Sequence, residues 1–312
     1  MKIYLSAFSI AMSLFAATVF TSAFSTSVYA EEKEQPTFVF TAIPDADESR
    51  LQQRFNKVAV YLSKQLGVKV KYIPVKSYAA AVTAFRNDQV QLAWFGGLSG
   101  VRARTLVPGS EAIAQGFEDQ SFKSYIIAHH STGLKPHFDL SKALTTVASD
   151  AQKQVKTEDL TFTFGSKGST SGRLMPEFYL REAFNQSPND TFSRVGFSGD
   201  HSATIAQVQA GAYQVGAVNF KVWEKELAEG KIDLTKVSVV WVTPTYPDYQ
   251  WTIRNDVDQR FGAEFKQKVR TALLNMKAPD LLASFPRQSF IPASNDDYAP
   301  IENTARAIGL ID

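Results

Sequence analysis

Residues 37–75 read TFVFTAIPDADESRLQQRFNKVAVYLSKQLGVKVKYIPV and contain one strand–helix–strand unit. Thr37–Ile43 is rich in β-forming residues and ends at Pro44-Asp45, a turn and helix-start signal. An amphipathic helix follows, since apolar residues recur there every three or four positions: Leu51, Phe55, Val58, Leu62 and Leu66. Gly67 ends this helix and Val68–Val75 forms the next strand. The unit predicts two parallel strands joined by a helix.

The same alternation continues through most of the chain, which predicts an α/β fold. The further predicted strands are Gln91–Phe95, Ala112–Phe117, Ser124–His129, Leu160–Phe164, Arg194–Phe197, Val215–Phe220, Val237–Val242 and Gln250–Arg254. They form two series, which predict two lobes, each a mostly parallel sheet flanked by helices. The first lobe is predicted to comprise 31–130 plus 248–312 and the second 131–247, with crossings near 128–135 and 242–250. Ligands of open α/β sheets bind at the carboxyl ends of strands, so we expect a ligand cleft between the lobes.

The first 30 residues have the three-part pattern of a secretory signal. Lys2 supplies the positive start, residues 3–20 are mainly apolar, and Val28-Tyr29-Ala30 is a small-residue cleavage site. A membrane anchor is the alternative interpretation, but the apolar stretch is short and contains serine. The sequence predicts cleavage of 1–30 and export, most simply to a periplasm.

Composition excludes several classes of function. The 312 residues carry a formal charge of +2 and no cysteine. A near-neutral chain is unlike proteins that track nucleic-acid phosphates. Without cysteine there is no disulfide scaffold, thiolate metal site or cysteine nucleophile. His129 and His130 point to opposite faces of a strand and do not favour one metal, so we predict neither a metal site nor a cofactor.

The loop Phe164-Gly-Ser-Lys-Gly-Ser-Thr-Ser-Gly-Arg173 lies between a predicted strand and a predicted helix. Its glycines allow close approach of a ligand, and Ser169, Thr170 and Ser171 supply hydroxyl groups. Backbone N–H groups at a helix start are unsatisfied and favour anions. The loop predicts an anion site, and simple capping of the helix by one hydroxyl is the alternative.

Enzyme motifs do not fit this loop. A nucleotide phosphate loop does not fit, because Gly172-Arg173 follows Gly168 at the wrong spacing. A nucleophile elbow needs serine at its centre, and the centre of Gly168–Gly172 is Thr170. We therefore predict no catalytic residue, and an exported hydrolase remains an alternative function.

Other candidate ligand contacts lie at strand ends. His201 begins a helix after Asp200, and the alternative for it is a surface position. Asn219 ends a strand and is predicted to face the cleft. Trp94 and Phe95 are predicted to divide between core and cleft wall, and Tyr125 to direct its hydroxyl group to the cleft or lie in the core. For the aromatic residues Tyr246, Tyr249 and Trp251 near the second crossing, hinge packing is favoured over a lid.

The chain resembles the periplasmic binding proteins of phosphate/phosphite/phosphonate ABC importers. The resemblance covers nearly all of 37–285, in the family's order, and its most specific part is Ser169-Thr170-Ser171-Gly172. The other matching parts are Ile43-Pro44, Gln91–Gly96, Ser124-Tyr125, Pro176 and Gly199-Asp200-His201. Residues 82–86 and 107–116 also resemble a subgroup described as selenate importers.

The resemblance implies a two-lobed type II periplasmic binding protein that captures a small tetrahedral oxyanion. It implies that Ser169, Thr170 and Ser171 bind the oxyanion, with Tyr125 and His201 donating from either side. Its implied partners are a membrane permease and a cytoplasmic ATPase, with the binding protein acting as a monomer; a sensory binding protein is the alternative. Where aminophosphonate binders of the family commonly carry an acid, this chain has Asn219, which predicts a ligand without an ammonium group, such as selenate or sulfate, with phosphite, phosphate or a simple phosphonate next.

Overall fold

Two mixed sheets flanked by helices organise the chain in the computed structural model, which describes residues 36–45, 48–145 and 155–311. The strands are β1 Phe38–Ala42, β2 Val70–Tyr72, β3 Leu92–Phe95, β4 Glu111–Gly116, β5 Ser124–His129, β6 Thr161–Phe164, β7 Arg194–Phe197, β8 Val215–Asn219, β9 Val237–Val242, β10 Gln250–Ile253 and β11 Phe290–Pro292. The helices are α1 Glu48–Leu66, α2 Tyr78–Arg86, α3 Gly97–Leu106, α4 Leu140–Thr145, α5 Met175–Phe184, α6 Pro188–Thr191, α7 His201–Gln209, α8 Phe220–Ala228, α9 Val257–Phe261, α10 Phe265–Leu274, α11 Pro279–Leu282 and α12 Ala299–Ala307. The predicted signal segment lies outside the described residues.

The first sheet has the order β11-β4-β10-β3-β1-β2. β1 pairs in parallel with β2 and β3, as the opening unit predicts, whereas β10 runs antiparallel between β3 and β4. β10 and β11 come from the end of the chain, so the C-terminal part returns to this sheet. Its core is rich in aromatic rings, including Phe38, Phe40, Trp94 and Trp251.

The second sheet has the order β7-β6-β8-β5-β9 and carries an apolar core on each face. β6 is parallel to β7 and β8, and β5 is antiparallel to both β8 and β9.

The predicted boundary at 130/131 places Ser124–His129 in the first lobe, and this placement of the strand is wrong. β5 pairs with β8 and β9, so it belongs to the second sheet, and the first crossing lies before Ser124 rather than near 128–135. An alternating apolar pattern identifies a strand but not the sheet that it joins. The other lobe boundaries remain a prediction. No helix among the described residues is long and apolar enough to cross a membrane.

Candidate functional site

The loop between β6 and α5 is a buried helix start. Ser169 precedes a π-helical turn, Thr170–Leu174, that leads into α5. The Ser169 hydroxyl group accepts a hydrogen bond from the Gly172 N–H at 2.9 Å, so the capping alternative is correct for this one hydroxyl. Ser169, Thr170 and Ser171 are each at most 2% exposed. π-turns of this kind are frequent at functional sites, and here the turn holds three hydroxyl groups away from bulk water.

Thr170 connects the loop to the first sheet. Its hydroxyl oxygen accepts a hydrogen bond from the Leu98 N–H at 2.9 Å, at the start of α3. The preceding Gly97 N–H donates to Asp248 Oδ1, also at 2.9 Å. A Cβ atom on Gly97 would lie 3.3 Å from the Thr170 hydroxyl oxygen, and one on Gly96 3.1 Å from Asp248 Oδ1. The two glycines that follow β3 therefore allow the close approach of Thr170 and Asp248.

His201 lies behind the loop as a neutral donor. The Asn219 N–H donates to His201 Nδ1 at 3.2 Å, which assigns the ring hydrogen to Nε2. Nε2 then faces the Ser171 hydroxyl oxygen at 3.4 Å. Burial lowers the pKa of His201 to about 3, so the ring is uncharged at neutral pH. The surface alternative is wrong for His201, whose side chain is fully buried, and a hydrogen-bond donor role remains open to it.

Asn219 caps α8. Its Oδ1 accepts from the N–H groups of Lys221 and Val222, and its Nδ2 donates to the Tyr249 hydroxyl oxygen at 3.0 Å. Burial raises the pKa of the nearby Asp45 carboxyl group, and the Tyr249 hydroxyl group opposes this rise. Asn219 is thus part of a polar chain from the second sheet to the end of β1.

The polar side chains around the loop form one buried cluster, and two of its residues were not predicted from the sequence. Tyr78, the first residue of α2, is 2% exposed, and its hydroxyl group has no hydrogen-bond partner among the described residues. Asp248 is the second of them and precedes β10. Burial raises the pKa of its carboxyl group to about 7. Its Oδ2 also has no hydrogen-bond partner among the described residues. Neither residue belongs to a recognisable sequence motif. Tyr78 follows a capping serine, and Asp248 lies in a turn that contains proline and tyrosine.

The predicted aromatic residues near the strand ends are buried in the core of the first sheet. Trp94 stacks on Tyr249, with ring centroids 5.6 Å apart, and lines a small cavity that Asn219 also lines. Phe95 packs against Phe85 at 5.7 Å and is fully buried. Both aromatics thus belong to the core of the first sheet, and a place for Trp94 in the cleft wall stays a prediction. Tyr249 and Trp251 are both buried in the core next to Trp94, which does not agree with a lid.

Tyr125 is not brought to the loop. Its hydroxyl group donates to Glu224 Oε1 at 3.3 Å, near the surface. The preceding Ser124 faces the loop instead and donates to the Ser171 carbonyl oxygen at 2.7 Å. Because successive side chains of a strand point to opposite faces, only one of these two neighbours reaches the loop.

The hydrogen-bond donors of the loop and its surroundings are mainly uncharged hydroxyl, N–H and imidazole groups. The nearby buried cation, Arg287, forms a bidentate ion pair with Asp119 at 2.7 and 2.8 Å, so its charge is largely compensated. A cavity of about 670 Å³ opens beside the loop, lined by Ser77 and Tyr78 from one side and by Gly165–Gly168 from the other, and Lys76 and Arg102 also line it. Hydroxyl and N–H groups in such a buried position hold an anion without a salt bridge.

Comparisons with known proteins all find periplasmic binding proteins of ABC transporters. Residues 40–298 match the family model described as the periplasmic substrate-binding protein of phosphonate ABC transporters. The chain is 39% identical to the probable ABC transporter phosphite binding protein PhnD1 of Prochlorococcus marinus (strain MIT 9301), over 93% of this chain and 95% of the relative. It is 27% identical to the phosphonates-binding periplasmic protein of Escherichia coli (strain K12), over 94% and 84%.

Among solved structures, PhnD1 from Prochlorococcus marinus in complex with methylphosphonate aligns with a TM-score of 0.80 and covers 88% of this chain and 99% of its own. A binding protein component of an ABC phosphonate transporter from Pseudomonas aeruginosa has a TM-score of 0.71 at 23% identity, which supports the fold alone.

Proposed function

This chain belongs to the family of periplasmic substrate-binding proteins of phosphonate ABC transporters, and we propose that its ligand is a small phosphonate or phosphite held by the Ser169–Ser171 loop. The fold is that of a two-lobed type II periplasmic binding protein. Proteins of this family bind substrate for a transporter, so the chain is a binding protein and not an enzyme.

The observation that carries the ligand assignment is the unsatisfied, buried donor set. The Tyr78 hydroxyl group lacks a partner among the described residues, and His201 Nε2 has only the Ser171 hydroxyl at the long distance of 3.4 Å. Buried donors without partners are costly, so an oxyanion that accepts from them is stabilised there. PhnD1 binds a methylphosphonate in its solved structure, and phosphite is in its name, which supports these two ligands ahead of selenate.

The proposed mechanism is capture between lobes. Tyr78 approaches the ligand from the first-sheet side, and Ser169, Ser171 and His201 approach from the second. Only a closed form lets the ligand accept hydrogen bonds from the donors of both sides. The ligand therefore shifts the population toward the closed form. The Leu98–Thr170 hydrogen bond between the two sides then stabilises the closed form. We propose that the closed monomer delivers its ligand to a membrane permease with a cytoplasmic ATPase.

A thermal-unfolding panel tests the assignment. Methylphosphonate, phosphite, phosphate, aminoethylphosphonate, sulfate, selenate and selenite are each added to the mature protein. At 100 times the dissociation constant, a ligand adds about 2.7 kcal/mol to the free energy of unfolding. We expect methylphosphonate or phosphite to produce the largest shift at equal concentration, because these are the two ligands that the solved structure and the name of PhnD1 support. A dominant shift with aminoethylphosphonate or with selenate would contradict the assignment.

A further inference from the structure

The small cavity that Trp94 and Asn219 line has a volume of about 50 Å³ and shares no lining residue with the larger cavity beside the loop. Elements that pack on both sheets form its wall. Arg54 comes from α1, which packs in the core of the first sheet, and Lys225 comes from α8, which packs on the second. The cavity is therefore complete only while these two sides lie together.

Cations outnumber acids in the wall of this cavity. The cations are Arg54, Lys221, Lys225, Lys231 and Arg287, and the acids are Asp45, Glu226 and Glu229. Three of the cations have acidic partners, in the pairs Arg287–Asp119, Lys231–Glu229 and Lys221–Glu118. Glu226 accepts a hydrogen bond from the Ser202 hydroxyl group at 2.5 Å. Most of the charges in the wall are thus engaged by groups of the protein itself.

Arg54 and Lys225 differ from the other cations, since neither has an ion-pair or hydrogen-bond partner among the described residues. Both side chains are partly buried. Burial lowers the pKa of the Lys225 ammonium group, and the charge of Arg54 lowers it further, while Glu229 and Asp45 offset this only in part. Two like charges, one from each side, therefore repel each other at this cavity.

We propose that this cavity binds a chloride ion between Arg54 of the first-sheet side and Lys225 of the second-sheet side. Partly buried cations in proteins are stabilised by a counter-charge, and a small anion supplies one to both groups at once. About 10–15 Å³ of such volume suffices for one water molecule, so the cavity has room for a chloride ion with accompanying water. Ser284 also lines it, and its hydroxyl group is buried without a hydrogen-bond partner among the described residues.

The position of the site couples it to closure, and this part of the inference rests on the proposed function. In an open form Arg54 and Lys225 separate, so chloride has both cations only in the closed form. An ion that binds the closed form more tightly than the open one shifts the population toward closure. By linkage, chloride then raises the affinity for the phosphonate by the same factor as the phosphonate raises the affinity for chloride.

Calorimetric titration with methylphosphonate tests the coupling, in sodium chloride and in sodium gluconate of equal ionic strength, so that general screening is the same. We expect the wild-type protein to bind methylphosphonate about fivefold more weakly in gluconate, at the lower end of common coupling factors. The Lys225→Gln variant removes one of the two repelling charges and should bind with the same affinity in both salts. Lys57→Gln is the matched control, because Lys57 also belongs to α1 but is exposed and lies outside the cavity wall. It should keep the wild-type dependence on chloride.

Crystals grown in sodium bromide test the site without reference to the phosphonate, since bromide replaces chloride and is located by its anomalous scattering. We expect a bromide peak between Arg54 and Lys225 in the closed wild-type protein and none there in Lys225→Gln. An empty cavity in the wild-type protein would overturn the site. Equal wild-type affinity in the two salts, or a dependence on chloride that survives Lys225→Gln, would overturn the coupling. If methylphosphonate does not bind in either salt, the proposed function and the coupling fail together, whereas the bromide peak still decides the site.

Discussion

The Ser171→Ala variant is expected to bind methylphosphonate about tenfold to a hundredfold more weakly than the wild-type protein. Ser171 is 1% exposed, and its hydroxyl oxygen faces the neutral ring of His201 at 3.4 Å, which leaves its hydrogen free for an oxyanion. A hydrogen bond to a charged group contributes about 1.5–3 kcal/mol, which corresponds to this loss. At a ligand concentration 100 times the wild-type dissociation constant, a hundredfold weaker variant would keep only about 0.4 kcal/mol of ligand stabilisation instead of about 2.7 kcal/mol.

Ser166→Ala is the matched control for this prediction. Ser166 belongs to the same loop, but it is only half-buried, and its hydroxyl group accepts a long hydrogen bond, 3.4 Å, from the Gly168 N–H. We expect its affinity for methylphosphonate to stay within threefold of wild type by calorimetric titration. Equal losses in both variants would indicate that the loop conformation, rather than the Ser171 hydroxyl group, determines binding.

The Tyr78→Phe variant is expected to change stability and affinity in opposite directions. Its hydroxyl group is buried without a partner among the described residues, so removing it should raise the free energy of unfolding of the ligand-free protein by about 1 kcal/mol. The same change removes a donor to the bound oxyanion and should weaken methylphosphonate binding about tenfold or more. Denaturant unfolding and calorimetric titration measure the two effects.

Tyr246→Phe serves as the comparison, because the Tyr246 hydroxyl group is hydrogen-bonded to Ser124 inside the protein. This variant should lose stability, and its affinity should fall less than that of Tyr78→Phe. A Tyr78→Phe protein that loses stability while keeping full affinity would show that Tyr78 has a structural role only.

The local part of the site could be predicted from the sequence. A strand followed by Gly, Ser and Thr residues predicts a turn that leads into a capped helix, and Ser169 lies at that helix start in the structure. His201 follows the same logic, since Asp200 caps α7 through a hydrogen bond from the Ala203 N–H at 2.8 Å. Both predictions depend on residues within a few positions of each other, where periodicity and capping rules apply.

The tertiary part could not be predicted in the same way. Asp248 meets Gly97 across 151 residues of sequence, and no local pattern marks that contact. The choice between Ser124 and Tyr125 depends on the pairing of β5 with β8, which also decides the sheet to which β5 belongs. Alternating residues show that a strand has two different faces, but they do not predict which face packs against the loop.

A crystal structure of the protein grown with methylphosphonate tests the central claim most directly. The account predicts the phosphonate oxygens within about 2.6–3.1 Å of the Ser169 and Ser171 hydroxyl groups, the Tyr78 hydroxyl group and His201 Nε2. It also predicts that the Leu98–Thr170 hydrogen bond is retained. A phosphonate bound elsewhere, with these four groups satisfied by each other or by water, would contradict it.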